Sequence, residues 1–153
     1  MRPALRRLFL LAASTDTKAA RTEEGFTAPC LHCRSTLAVR ADGEALGNAT
    51  LEHVVPVSWF GKRPATRLVA GLDGPDDARN LALACRRCNH DKGTGPDARG
   101  PADARAFEIV ARLVATRLAR FEPPPPATVE GPAAYEEGAM TNREPGRSPR
   151  RKT

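Results

Sequence analysis

The residues whose types and spacing could do chemistry fall in three short segments: Cys30-Leu-His-Cys33, Leu51-Glu-His-Val-Val-Pro56, and Asn80 to Gly93, which reads Asn-Leu-Ala-Leu-Ala-Cys-Arg-Arg-Cys-Asn-His-Asp-Lys-Gly. All four cysteines lie in two Cys-x-x-Cys pairs. A disulfide within either pair would close a tiny loop and constrain almost nothing. Four thiolates from Cys30, Cys33, Cys85 and Cys88 converging on Zn²⁺ explain the spacing better, and they leave no open coordination position, so the expected zinc is structural. Closing the loop between the knuckles costs on the order of 3–4 kcal/mol of chain entropy. A structural zinc returns about 10–16 kcal/mol, so the metal overcomes that cost.

Glu52 and His53 raise a second possibility. Phosphodiester hydrolysis needs a base to activate water, a cation to stabilise charge on the phosphate, and a scaffold that fixes both. His53 suits the base because imidazole titrates near neutrality. Glu52 offers a hard carboxylate oxygen to Mg²⁺ or a similar divalent cation, and Asn89, directly after Cys88, offers an amide oxygen to the same ion. Neighbours on a strand point to opposite faces, so Glu52 and His53 reach one site only if the strand is irregular or curls there. A Glu-His pair alone carries no information; its value comes from its company. His32, inside the first knuckle, reads as a surface histidine.

The elements that must position these groups are short. Leu5, Leu8, Phe9 and Ala12 recur at helical spacing and suggest a first helix docking on the core, with a strand as the alternative. Arg2, Arg6 and Arg7 before Leu8 to Ala13 faintly resemble a signal peptide, but the apolar run is short and Asp16 and Lys18 follow closely. Residues 14–28 read as a connector. Thr36 to Arg40 reads as a strand, Asp42-Gly43 as a turn, and Ala49 to Val55 as a strand ended by Pro56. Residues 57–79 form a long loop carrying Trp59, Phe60, Lys62, Arg63 and Arg67. Its aromatic and basic residues could meet nucleic acid, or Trp59 could be a core anchor. Asn80 to Ala84 reads as a second strand and Arg86 onward as a helix, stopped by Gly93, Gly95 and Pro96. Residues 102–121 form an amphipathic helix with Phe107, Val110, Val114, Leu118 and Phe121 on one side and Arg105, Arg112, Arg117 and Arg120 on the more polar sides.

The whole chain of 153 residues has room for a modest core. Its apolar fraction of 41% is rich in alanine and its aromatics reach only 5%, so a metal staple is useful. A net charge of +6 and a pI near 9.7 favour an anionic partner such as nucleic acid. Thiolate zinc fits a reducing, cytoplasmic compartment, and no segment is long enough to span a bilayer. From Glu122 the chain turns rich in proline, glycine and charge, which predicts a disordered tail. The expected organisation is an N-terminal helix or arm and connector over 1–29, a working domain over 30–121, and the tail over 122–153.

These motifs together, Cys30-x-x-Cys33, Leu51-Glu-His-Val-Val-Pro56, Asn80-Leu81 and Cys85-Arg-Arg-Cys-Asn-His-Asp-Lys-Gly93, resemble the zinc-knuckle branch of the HNH endonucleases. The resemblance covers residues 30–93. It implies an α+β chain with a small ββα-metal core, a four-cysteine structural zinc, and flanking helices. It implies His53 as general base, Glu52 and Asn89 as ligands of a catalytic divalent metal, and Asn80 as the residue that orients His53 or braces the loop. The family more often has aspartate at the position of Glu52, and His90 is the alternative ligand to Asn89. His90, Lys92, Lys62 and Arg63 are candidate nucleic-acid contacts. Two functions follow: a metal-dependent endonuclease acting on nucleic acid, foremost DNA, or a zinc-stabilised nucleic-acid-binding module without hydrolytic activity. A tail-mediated adaptor is a third.

Overall fold

In a computed structural model, residues 1–124 are described; the expected tail lies, from residue 125 on, outside the described residues. The fold is mixed α+β. Pro3 sits at the start of the first helix, α1 (Pro3–Ser14), where its missing N–H costs nothing. Phe9, Ala12 and Ala13 form the buried face of α1, which settles the choice between helix and strand at this segment.

Residues 14–28, expected as a connector, instead contain two strands, β1 (Ala20–Thr22) and β2 (Gly25–Pro29). They are short, and β1 is exposed throughout, so no apolar alternation announces them. With β3 (Thr36–Arg40) and β4 (Ala45–Leu46) they form an antiparallel sheet in chain order. Strand β3 occupies the expected residues. At the turn after it Gly43 has φ of +85°, and a Cβ there would lie 2.3 Å from the Arg6 carbonyl oxygen, so the turn both reverses the chain and lets α1 approach.

The second sheet is the pair β5 (Ala49–His53) and β6 (Leu81–Cys85), antiparallel, with Glu52 opposite Ala82 and His53 opposite Leu81. Helix α3 (Arg86–Lys92) follows β6 without a break, so β5, β6 and α3 make the expected ββα unit. Phe9, Leu37, Val39, Leu81 and Leu83 join α1 to both sheets in one apolar cluster.

The long loop contains short 3-10 turns and one helical turn, α2 (Thr66–Val69). Trp59 is fully buried beside Val55, Ala65, Ala106 and Val110, and its indole N–H donates to the Asp97 carbonyl at 3.1 Å. It is a core anchor, which removes it from the candidate nucleic-acid contacts.

Two expectations about the C-terminal half need correction. Gly93, Gly95 and Pro96 do not stop the chain's helical path: a π-helical turn over Gly93–Asp97 continues it and carries Asp97 back toward Lys92. The last helix, α4 (Ala104–Ala119), is capped by Asp103, whose carboxylate accepts from the Ala106 N–H at 2.8 Å. Its Arg117, expected on a solvated face, is fully buried while Leu118 is exposed. The guanidinium donates to the Thr15 carbonyl, the Thr15 hydroxyl and the Ala78 carbonyl, tying α4 to the end of α1 and to the loop. Burial pulls its pKa down to about 10.

Candidate metal centre and HNH motif

The first knuckle is a tight turn in which the Arg34 N–H returns to the Cys30 carbonyl at 3.2 Å. Arg34 adopts φ of 65°, a conformation that ordinarily favours glycine. The second knuckle joins a strand to a helix: Cys85 ends β6 as the N-cap of α3, and Cys88 lies in the helix's first turn. Leu31 N–H donates to the Leu83 carbonyl at 3.0 Å and docks one knuckle on the other. As a result the four sulfurs of Cys30, Cys33, Cys85 and Cys88 lie within 4.8 Å of one another.

The protonation chemistry of these thiols suits a cation. Hydrogen bonds from the Ser35 side chain and backbone bring Cys33 down to about 6. Burial and the neighbouring Cys85 and Cys33 sulfurs push Cys88 up to about 12, and burial also raises Cys30. Four thiolates cannot coexist so closely without a positive charge between them, and a tetrahedral Zn²⁺ supplies it. The residues therefore fit a structural zinc. Among the described residues, no other group of three or more cysteine, histidine or carboxylate side chains converges in this way.

The Glu-His motif is arranged differently. Glu52 is 1% exposed. One carboxylate oxygen, Oε2, lies 2.6 Å from Nε2 of His32; the other, Oε1, is 3.5 Å from the Lys92 ammonium and has no hydrogen-bond partner. His32 is thus a partner of Glu52 and not the surface residue expected. Lys92 is also not the phosphate contact expected: it is 4% exposed, and it donates to the His53 carbonyl at 3.1 Å and to Asp97 Oδ2 at 2.9 Å. Burial raises the Asp97 carboxyl above its ordinary range, with Lys92 opposing that shift. His32, Glu52, Lys92 and Asp97 form one polar cluster, with Glu52 and Lys92 buried and His32 and Asp97 partly exposed.

His53 faces away from that cluster. Its Nε2 is 2.8 Å from Oδ1 of Asp76, which lines a cavity of about 640 Å³ with Ala4, Arg7, Leu8 and Leu11 of α1. Strand alternation is the cause: Leu51 packs with the α1 cluster and His53 follows it to that face, while Glu52 turns to the other. Asn89 lies against β5, its amide nitrogen donating to the Thr50 hydroxyl at 3.0 Å and the Leu51 carbonyl at 3.1 Å.

Asn80 is 1% exposed and spans the mouth of the long loop. Its Oδ1 accepts from the Val55 N–H at 2.8 Å, and its amide donates to the Val55 and Pro75 carbonyls. Lys62, Arg63 and His90 are exposed at the surface. Three participants escape a reading of the sequence: His32, Asp97 and Asp76. Only His32 carries a signal in advance, its place between two ligand cysteines; Asp97 is hidden behind a Gly/Pro run, and Asp76 lies in a loop without periodicity.

Residues 30–95 match the family model described as HNH endonuclease, a span that takes in both knuckles, Glu52, His53, Asn80 and Asn89. No curated protein and no solved structure matches the chain.

Proposed function

We propose that this chain, whose residues 30–95 match the HNH endonuclease family model, works as a zinc-stabilised nucleic-acid-binding module. One observation carries the reading. The four-cysteine centre is fully assembled, whereas the Glu52 carboxylate is engaged by His32 and Lys92 and His53 turns to the opposite face. The net charge of +6 favours an anionic partner, with DNA foremost. The test is a gel shift of short DNA and RNA by the zinc-loaded protein. A shift that weakens steeply with salt is expected; no shift of any nucleic acid would refute the reading.

A second reading, metal-dependent hydrolysis of a phosphodiester bond, is favoured by a different observation. Glu52 Oε1 is buried without a hydrogen-bond donor, and a bound cation would satisfy it. Glu52 and Asn89 would then hold a divalent ion such as Mg²⁺, which would stabilise charge developing on the phosphate. Glu52 would have to leave His32. His53, held through Nε2 by Asp76, would have to meet the same phosphate in order to take a proton from the attacking water. Supercoiled plasmid incubated with Mg²⁺ or Mn²⁺ separates the readings. Cutting by the wild type and not by His53→Ala replaces the binding module with the endonuclease; a shift without cutting by either retains the module. No helix among the described residues is long and apolar enough to cross a membrane.

A further inference from the structure

Between the first knuckle and α4 lies an open groove of about 530 Å³, lined in part by Lys18, His32, Arg34, Thr116 and Arg120. No carboxylate lines it. Three other cavities differ: one beside β2 and β3 includes Glu23 and Glu24, one beside α1 includes Asp76, and one near Leu68 encloses only about 180 Å³, its Arg79 paired with Asp77 and its Arg67 stacked on Phe107. Of the three cations in the groove, Arg120 is neutralised by Asp16 and also donates to the Pro29 carbonyl. Lys18 and Arg34 are exposed, and neither side chain has an ion-pair partner among the described residues.

We infer that this groove is the surface on which the chain holds a nucleic-acid backbone, with Lys18 and Arg34 as its phosphate contacts. The inference rests on the nucleic-acid-binding reading and locates it. Unpaired cations in a concave, acid-free surface focus positive potential, which is what a phosphodiester backbone recognises. Arg34 is placed there by the knuckle turn itself, in a left-handed conformation fixed between Cys30 and Cys33 and β3. The zinc centre therefore holds one wall of the groove as well as the fold. His32 belongs both to the groove and to the polar cluster, so a backbone lying here passes within one side chain of Glu52.

The rival surface is the exposed Lys62-Arg63 pair on the long loop. The test compares two double charge reversals, Lys18→Glu with Arg34→Glu and Lys62→Glu with Arg63→Glu, at equal net charge. Binding of short labelled single-stranded DNA, duplex DNA and RNA is followed by fluorescence anisotropy, with zinc content and far-ultraviolet circular dichroism checked for each variant. The groove pair is expected to lose about tenfold or more in affinity and to flatten the salt dependence, and the loop pair to stay within about twofold. Equal losses, or a larger loss from the loop pair, would overturn the groove while leaving the binding reading intact. A wild-type protein that binds none of the three probes would overturn both.

Discussion

The Glu52-His53-Asn89 motif lies on the ββα unit and the four-cysteine centre ties that unit to the first knuckle; the four sulfurs converge, whereas Glu52 and His53 meet different partners. The cysteines sit in one tight turn and at one strand-to-helix junction, docked by a backbone hydrogen bond, Leu31 to Leu83, and their sulfurs converge. The motif residues sit within a regular strand and on a helix, where alternation sends Glu52 and His53 to opposite faces. A site made where the chain turns or passes from strand to helix is placed by the backbone, while a site made from neighbours along a strand depends on what each face meets.

The comparison can be broken most forcefully at the zinc. Stripping the metal with a chelator removes about 10–16 kcal/mol of binding energy from a fold whose total stability is about 5–15 kcal/mol, and replacing Cys85 by serine loses part of it. The expected outcome is loss of cooperative structure by circular dichroism at room temperature. A metal-free chain that still melts cooperatively would show the knuckles to be dispensable.

Asn80→Ala tests the loop that separates the motif halves. It leaves the Val55 N–H and two carbonyls without their side-chain partner, and a cost of about 2–4 kcal/mol is expected in urea unfolding. Glu52→Gln sharpens the contrast between the two regions. At a metal site free of its ion, removing a buried charge relieves desolvation and stabilises the protein. Here the carboxylate is paired with His32 and Lys92, so the substitution should destabilise by about 2 kcal/mol. A gain in stability would contradict the pairing.

The smallest effect concerns Asp77, whose carboxyl is held down to about 2, first by the Arg79 side chain. A depressed carboxylate stabilises the fold above its unfolded value of 3.8 and loses that contribution as pH falls through about 2. At fixed zinc, the stability gap between wild type and Asp77→Asn should therefore hold steady from about pH 8 to about pH 5, where the carboxyl stays ionised and the thiolates keep their metal; a gap that changes across that range would contradict the depressed carboxyl.

Much of the fold was legible because its signals are local. The knuckle spacing, the alternation in Thr36 to Arg40, and the three- and four-residue recurrence in α4 each declare an element without reference to the rest of the chain. What escaped depends on partners distant in sequence. Arg117 reads as a surface cation until Thr15 and Ala78 are seen to surround it, and Lys92 reads as a phosphate contact until Glu52 and Asp97 close over it. Strand β2 exists by pairing with β3, and β1 by pairing with β2, not by any pattern of their own. Pro96 marks a helix stop in most contexts, yet here it lies inside a π-helical turn where the i−4 hydrogen bond it would break is not made. For the candidate site, residue types were legible and their faces were not.

The central claim is that one metal centre is formed and that Glu52 is held within the protein. Its most direct measurement is native mass spectrometry of the zinc-loaded chain titrated with Mn²⁺, for wild type and Glu52→Gln. The account predicts one tightly held zinc per chain and no specific second ion in either protein. A second ion bound by the wild type and lost in Glu52→Gln would contradict it and place a working metal site at Glu52.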